Sequence, residues 1–296
     1  MTIPETGSAM LPPFLPARET CVDSWDIRLL RKVAPLVETP LAGPAPERHL
    51  SYIGVVDCEA TSTDPQTAQV IDLAVCVLEI DGDGVITGIA ELKQGYRDPG
   101  MPIPPDVTRL TGISDADVAG ALFEADDWTD LFQRCDLLVA HNAAYDAAVL
   151  ERLLPGIRGR RWGCSMAEID WAGLGFDGRG LGYLLTQIGF FNRGHRAMAD
   201  VTSLVHLLSW QAPDGRCLLA HLQERADRFT TRVEARGAPF SSKDLLKARG
   251  YRWSANRRVW WSEIEDQALE AEKRWLSEEV RCTPSLEVLT ARNRHR

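Results

Sequence analysis

The stretch that decides the fold is Val55-Val56-Asp57-Cys58-Glu59-Ala60-Thr61, an apolar run that closes on two carboxylates two positions apart. In an extended strand, residues two apart project from the same face, so Asp57 and Glu59 are expected to point together toward one site. Their apolar neighbours indicate that the pair lies at the end of a buried strand. Two carboxylates this close repel each other unless a cation lies between them, and a hard divalent cation is the usual solution.

Apolar runs separated by turn residues surround this stretch. Residues 53–56, 70–80 and 85–92 predict three successive strands, and Asp81-Gly82-Asp83-Gly84 between the last two is a hairpin signal. Residues 137–140 predict another strand, with a helix after Asn142, and further helices are predicted at about 181–188 and 198–209. Three strands in a meander followed by alternating helix and strand predict an α/β fold with a mixed sheet covered by helices.

Two later segments add acidic residues and a histidine. They are Leu137-Leu138-Val139-Ala140-His141-Asn142-Ala143-Ala144-Tyr145-Asp146 and His195-Arg196-Ala197-Met198-Ala199-Asp200. Three Asp and one Glu offer the oxygen ligands that Mg²⁺ and Mn²⁺ prefer, whereas zinc would require His or Cys ligands. Two such ions ~3.5–4 Å apart can activate water and stabilise an in-line displacement at phosphorus. His195 is the candidate general base, because imidazole titrates close to working pH.

The bulk composition limits the function classes. The 296 residues carry a net charge of −9, so a protein that acts on polyanions must depend on bound cations and local basic patches. Seven cysteines are scattered singly, which argues against a disulfide framework and a structural zinc site. No targeting signal or membrane-spanning run is recognised, so we expect a soluble cytoplasmic protein without a membrane partner.

Taken together, Asp57, Glu59, Asp146, His195 and Asp200 resemble the DEDD superfamily of 3'–5' exonucleases, in the subgroup with a histidine base. Val107-Thr108-Arg109-Leu110-Thr111-Gly112-Ile113 resembles the substrate-loop motif of that family, and Leu181-Gly182-Tyr183-Leu184-Leu185 resembles the helix before its third motif. The similarity spans roughly residues 51–210. It is closest to the epsilon proofreading subunit of DNA polymerase III and its relatives, and Arg196 disfavours the tyrosine subgroup.

The resemblance implies a ribonuclease-H-like fold with a five-stranded mixed sheet flanked by helices. It implies a hydrolase that acts in DNA repair. The enzyme would release nucleoside 5'-monophosphates from the 3' ends of single-stranded DNA or RNA, with DNA favoured. A DNA polymerase or another replication or repair protein is the implied partner. Two Mg²⁺ or Mn²⁺ ions would be bound by Asp57, Glu59, Asp146 and Asp200, with His195 activating the water. The implied substrate-binding residues are Ala60, Thr61, Leu110, Thr111 and Tyr145, where Ala60 replaces the commoner Thr.

The sequence divides into four predicted parts. Residues 1–48 form a flexible Pro-rich arm with one short helix at about 26–37, residues 49–212 the exonuclease domain, residues 213–283 a small α+β domain rich in basic and aromatic residues, and residues 284–296 a tail. Residues 225–260 hold ten basic and three acidic residues, a local net charge of +7. This segment is either the solvated surface and core of a small domain or a surface that stacks on bases and contacts phosphates.

Two other functions fit the same fold. One is a nucleic-acid-binding or scaffold protein that has lost turnover, against which the intact acidic set argues. The other is a ribonuclease-H-like endonuclease, which shares an acidic metal site but generally does not need the His195 motif.

Overall fold

The computed structural model describes residues 28–36, 51–81 and 84–296. In chain order the strands are β1 (Arg31–Lys32), β2 (Ser51–Ala60), β3 (Val70–Ile80), β4 (Ile86–Tyr96), β5 (Leu137–Ala140), β6 (Trp162–Cys164), β7 (Phe190–Phe191), β8 (Thr230–Arg236), β9 (Arg252–Ser254), β10 (Val259–Glu265) and β11 (Thr283–Leu289). The α-helices are α1 (Pro105–Thr111), α2 (Asp115–Val118), α3 (Ala125–Arg134), α4 (Ala143–Leu153), α5 (Ser165–Glu168), α6 (Leu181–Gln187), α7 (Ala197–Leu208), α8 (Leu218–Asp227), α9 (Lys243–Ala248) and α10 (Asp266–Trp275).

The larger sheet has the strand order β4-β3-β2-β5-β6. The strands β2, β3 and β4 pair antiparallel, whereas β5 pairs parallel to β2 and β6 parallel to β5. Because β2 and β5 are parallel, their carboxyl ends meet at one edge, where Asp57 and Glu59 lie beside the start of α4. The predicted α/β class with a five-stranded mixed sheet is confirmed.

Apolar side chains cover both faces of this sheet. On one face, α6, α7 and α8 pack through residues such as Leu184, Val201 and Leu222. On the other face, α3 and α4 pack through Phe132 and Leu150. Helix α8 follows the boundary predicted at residue 212, yet its leucines lie in the core of the larger sheet.

The predicted N-terminal arm lies mostly outside the described residues. Within residues 28–36, the helix predicted at about 26–37 is wrong, since Arg31 and Lys32 form β1 and pair in parallel with Phe190 and Phe191 of β7. Val33 is buried against the main core. Pairing with β7 satisfies backbone groups that a helix would have satisfied internally, and tertiary contact has overridden the local apolar spacing.

A second sheet, with the order β11-β8-β10-β9, forms the small C-terminal α+β unit. Its pairings are all antiparallel, and α9 and α10 accompany it. Residues 284–289, which the sequence analysis assigned to a tail, lie in β11 and pair with β8 along its whole length. This pairing removes the free edge that β8 would otherwise expose, so the segment is a structural strand.

The last residues reach back to the larger sheet. The Trp162 N–H donates to the Ala291 carbonyl oxygen at 2.8 Å, beside the edge strand β6. Glu168 of α5 is buried and accepts from Arg294 Nη1 at 2.7 Å and His295 Nε2 at 2.8 Å. These bonds fasten the chain end to the larger domain. No helix among the described residues has the length and apolarity needed to cross a bilayer.

Candidate active site

Three carboxylates converge at the carboxyl end of β2. Asp57 and Glu59 project from one face of the strand, and Asp200 comes from the first turn of α7, which packs against β2 and β3. One oxygen of each can be chosen so that all three lie within 4.8 Å of one another. The structure therefore brings together one residue pair and a third residue some 140 positions away in the sequence.

Asp146 lies next to this group on the other side of β2. It sits in the first turn of α4, is 4% exposed, and accepts a hydrogen bond from the Cys58 thiol with Sγ to Oδ1 at 3.2 Å. Among the neighbouring charges, that of Asp146 contributes most to the raised pKa of Asp57. All four predicted acidic residues thus lie close enough to repel one another.

The pKa is raised in every member of this acidic centre, defined as Asp57, Glu59, Asp146 and Asp200, and for Asp57 and Glu59 repulsion by the other carboxylates adds to the effect of burial. Burial is the main cause for each. The pKa of Glu59 rises to about 7, with Asp200 as the next contributor, and that of Asp146 also rises to about 7. Without an added cation, the folded chain therefore holds protons here at neutral pH.

His195 lies on the loop that leads into α7. Its backbone has φ = +64°, and its N–H donates to Asp200 Oδ2 at 2.7 Å, as the Arg196 N–H does at 3.2 Å. The His195 side chain is exposed, and its charge would lower the pKa of Asp200. A side chain at Gly194 would bring its Cβ to 3.2 Å from Asp200 Oδ1, a tight contact that would shift the carboxylate by a few tenths of an ångström.

Asp72 is a fifth carboxylate that the sequence analysis missed. It pairs with Glu59 across β2 and β3 and is fully buried. Both its oxygens accept from Gln94 Nε2, at 2.9 and 3.1 Å, and Oδ2 accepts from the Ala197 N–H at 3.2 Å. Asp72 therefore holds the first residue of α7, three positions before Asp200. Only its place among apolar strand residues, in Val70-Ile71-Asp72-Leu73, could have marked it in advance.

The predicted substrate-binding residues after β2 are partly engaged within the protein. Thr61 is buried, its N–H donates to Gln69 O at 2.9 Å, and its Oγ1 accepts from Gln69 N at 3.0 Å. Ala60 ends β2 and is half-buried. The Tyr145 hydroxyl donates to the Ser62 carbonyl oxygen, which ties α4 to this loop.

Helix α1 presents Leu110 and Thr111 in opposite ways. Leu110 is 56% exposed, whereas Thr111 is buried and its hydroxyl donates to Val107 O. Arg196 joins α1 to the acidic centre, because its guanidinium donates to Thr111 O at 3.3 Å and to the Tyr96 hydroxyl at 2.6 Å. Leu110 is thus the exposed apolar side chain of a helix anchored beside the carboxylates.

The acidic centre fits divalent cation binding. Its donors are all carboxylate oxygens, which suit hard divalent ions. Among the described residues, no Lys or Arg side chain lies within ion-pair distance of the four carboxylates, and Arg196, the cation that moderates Glu59, is engaged with Tyr96 and Thr111. The charges that repel here are left for a bound cation to neutralise.

A comparison with protein families matches residues 55–208 to the family model described as Exonuclease (RNase_T). The chain is 26% identical over 114 residues to ribonuclease T of Shewanella baltica (strain OS155 / ATCC BAA-1091), which covers 34% of this chain and 51% of that protein. The ribonuclease T of Shewanella oneidensis is 25% identical over the same length and coverage. The chain thus spans about half the length of the curated relatives that it matches.

Among solved structures, Exonuclease X in complex with 5' overhanging duplex DNA aligns over 57% of this chain and 99% of its own, with 19% identity and a TM-score of 0.42. E. coli Exonuclease I in complex with a dT13 oligonucleotide aligns over 79% of this chain and 68% of its own, with 14% identity and a TM-score of 0.48.

Proposed function

The chain belongs to the Exonuclease (RNase_T) family, and from that premise we propose that it is a metal-dependent 3'–5' exonuclease of the DEDD superfamily. It hydrolyses the terminal phosphodiester of single-stranded nucleic acid, with DNA preferred, and releases nucleoside 5'-monophosphates. The observation that carries the proposal is the convergence of Asp57, Glu59 and Asp200 within 4.8 Å, with Asp146 adjacent.

The four carboxylates would hold two Mg²⁺ or Mn²⁺ ions. When bound, such ions supply Lewis-acid stabilisation of the attacked phosphate and of the leaving oxygen. The protein itself contributes the rigid end of β2, the first turns of α4 and α7, and the hydrogen bonds that orient Asp200. Asp72 keeps α7 in place through the Ala197 N–H.

His195 is proposed as the general base, which places the chain in the histidine subgroup. Its side chain is exposed on a loop whose backbone is fixed at Asp200, so the imidazole can rotate toward a water at the acidic centre and take its proton. Removal of a general base typically costs about 10²–10⁴-fold in rate.

Substrate would lie between the loop after β2 and helix α1. The exposed Leu110 would pack against the last bases, and Tyr145 and the backbone near Ala60 and Thr61 would lie against the terminal nucleotide. Thr111, being buried, would act by positioning Leu110. An epsilon-like role beside a DNA polymerase, in DNA repair in the cytoplasm, belongs to the same proposal, and co-elution of the two purified proteins would test it.

The test follows the length of 5'-labelled single-stranded DNA and RNA during incubation with Mg²⁺ or Mn²⁺. We expect stepwise shortening from the 3' end, and a fall of about 10²–10⁴-fold in His195→Ala. Intact substrate with every metal would refute the exonuclease and favour the binding or scaffold function. Cleavage of a circular single strand, with no effect of His195→Ala, would favour the endonuclease.

A further inference from the structure

The basic residues of the C-terminal unit fall into two groups. Of the ten between residues 225 and 260, six form ion pairs with glutamates: Arg225, Arg228, Arg232, Arg236, Arg249 and Arg257. The other four are Lys243, Lys247, Arg252 and Arg258, and no carboxylate lies within 4.0 Å of their charged groups in the described part of the chain. The charge excess of the sequence is therefore concentrated on these four.

Of these four cations, Lys243 lies against the exposed ring of Phe240 and Lys247 against the half-buried ring of Trp260. Lys243 Nζ is 4.8 Å from the ring centroid of Phe240, and Lys247 Nζ is 6.0 Å from that of Trp260. Trp260 meets Trp253 at 5.6 Å between ring centroids. Since Lys243 and Lys247 are four residues apart on α9, they lie on one face of that helix. These five side chains are here called the aromatic–lysine strip.

Two rings of this strip are exposed to solvent. Phe240 is 83% exposed and Trp253 is 52% exposed, whereas Tyr251 and Trp275 pack with the buried residues of the domain. Trp253 also lies on β9, the edge strand of its sheet. Exposed apolar rings beside cations that lack a carboxylate partner are the kind of surface that marks a binding site.

The opposite face of the sheet provides an internal contrast. There Trp261 is covered on two sides by Arg232 and Arg252, whose guanidinium carbons lie 4.6 and 4.4 Å from its ring. Arg232 is paired in turn with Glu287. On that face both the ring and one of the cations already have partners, so the free stacking surface is on the strip.

We propose that the aromatic–lysine strip binds a single-stranded stretch of nucleic acid. This proposal rests on the proposed function and deepens it, because the strand is the continuation of the substrate whose 3' end is digested. Rings such as Phe240 and Trp253 can stack on any base, and lysines between them meet the phosphates. The net charge of −9 makes such a local cationic surface necessary for holding a polyanion.

The binding test uses the full chain in EDTA and the fluorescence anisotropy of a 5'-labelled oligothymidylate of about 30 nucleotides. Trp253→Ala and Lys247→Glu are each expected to weaken binding about tenfold, because stacking and phosphate contact are both lost. Trp253→Phe keeps a ring and should recover most of the affinity. Lys247→Glu should also make the salt dependence shallower, by a slope of about 0.7 or more.

Arg274→Glu is the matched control for charge. Arg274 is an exposed cation of α10 that makes no contact with a strip ring in the described part of the chain. Its charge reversal should change affinity by no more than about twofold at moderate salt. Thermal unfolding of each variant shows whether it is folded at the assay temperature, and Lys247→Glu, at a solvent-exposed position, serves if Trp253→Ala is not.

Hydrolysis separates this proposal from the proposed function. In the presence of Mn²⁺, the preference of the wild-type chain for the long substrate over one of about six nucleotides, measured as a ratio of kcat/KM, should shrink in the strip variants. Equal binding and equal length preference in all variants would overturn the strip while leaving the exonuclease intact. Strip-dependent binding without any hydrolysis would overturn the exonuclease alone. Absence of binding by the wild-type chain would overturn the strip and point to a protein partner.

Discussion

Two groups of enclosed carboxylates differ in how the protein balances their charge. Glu168, Glu234 and Glu272 are each less than 9% exposed, and each is paired with at least one arginine. In the acidic centre Asp146 is buried and the other three carboxylates are half-buried, and none of the four forms an ion pair among the described residues. The paired glutamates stabilise the fold, whereas the carboxylates of the acidic centre repel one another until a divalent cation binds.

The pKa directions express the same difference. For Glu168, burial alone would raise the pKa, but hydrogen bonds and charges from His295 and Arg294 lower it overall. For Glu234, Arg257 and Arg236 likewise outweigh burial and lower the pKa. For Asp57 and Glu59 burial and repulsion act in the same direction, and burial is the main cause that takes the pKa values of Glu59 and Asp146 to about 7.

The largest expected effect is that of a substitution in the acidic centre. Asp57→Asn should lower kcat/KM for nucleotide release by about 10⁴-fold, since a cation ligand is lost at the reacting phosphate. The same change should leave the thermal stability in EDTA unchanged or higher, because it removes a repelling charge. A loss of thermal stability together with the loss of activity would contradict the inference that repulsion between Asp57 and the other carboxylates destabilises the fold.

Glu168→Ala is the matching change on the structural side. It removes the acceptor of Arg294 Nη1 and of His295 Nε2, while Arg294 keeps Glu263, so the free energy of unfolding should fall by about 2–3 kcal/mol. Chemical denaturation followed by tryptophan fluorescence measures this. The residual folded protein should still hydrolyse nucleic acid, as Glu168 lies outside the acidic centre. A stability equal to that of the wild type would show that the chain end is not fastened through this residue.

The four carboxylates predicted as metal ligands lie close together in the structure, and their role as ligands stays a prediction. Asp57 and Glu59 follow a recognisable apolar run, and the strand at residues 137–140 has the predicted bounds. Asp72 was missed because a single carboxylate within an apolar strand gives no periodic signal. The short β6 was missed as well, since three residues are too few for a pattern.

The C-terminal unit was harder to predict because its partners are distant in sequence. Thr230–Arg236 carries charges on alternate positions, and Arg232 and Glu234 of this strand form ion pairs with Glu287 and Arg257, which are distant in sequence. The predicted charge excess therefore overstated the free positive surface. Long-range ion pairs of this kind have no spacing rule that a single sequence could reveal.

The dependence of stability on pH sharpens the comparison. The raised pKa values mean that the protonated carboxyls of the acidic centre stabilise the fold. This contribution is complete below the ordinary pKa of about 4 and is lost as pH rises through about 7. In EDTA the free energy of unfolding should fall between pH 5 and 8, on the order of 3 kcal/mol for a group shifted like Glu59. Saturating Mn²⁺ should abolish this fall, and Asp57→Asn should reduce it.

The paired glutamates should give the opposite slope at low pH. Because the pKa values of Glu168 and Glu234 are lowered, their contribution is present above the ordinary value and is lost as pH falls through the folded value. Denaturation curves below about pH 4.5 should therefore show a loss of stability in EDTA that Mn²⁺ does not prevent. A single slope across the whole range would erase the distinction between the two groups of carboxylates.

The smallest expected effect concerns Asp72. Asp72→Asn keeps the size of the side chain but weakens its hold on the Ala197 N–H, so kcat should fall about tenfold with KM nearly unchanged. Steady-state kinetics on a short oligonucleotide distinguishes this from a loss of substrate binding. A rise in KM at constant kcat would assign Asp72 to the substrate surface instead of to the positioning of α7.

Calorimetric titration of the full chain with Mn²⁺ at pH 7, in two buffers of different ionisation enthalpy, tests the central claim most directly. Binding should release protons, because Glu59 and Asp146 hold them at this pH until a cation neutralises the centre. Asp57→Asn should abolish or greatly weaken the binding, while Glu234→Gln should leave it intact. Absence of Mn²⁺ binding, or binding with the same heat in both buffers, would contradict an acidic centre built to be neutralised by metal ions.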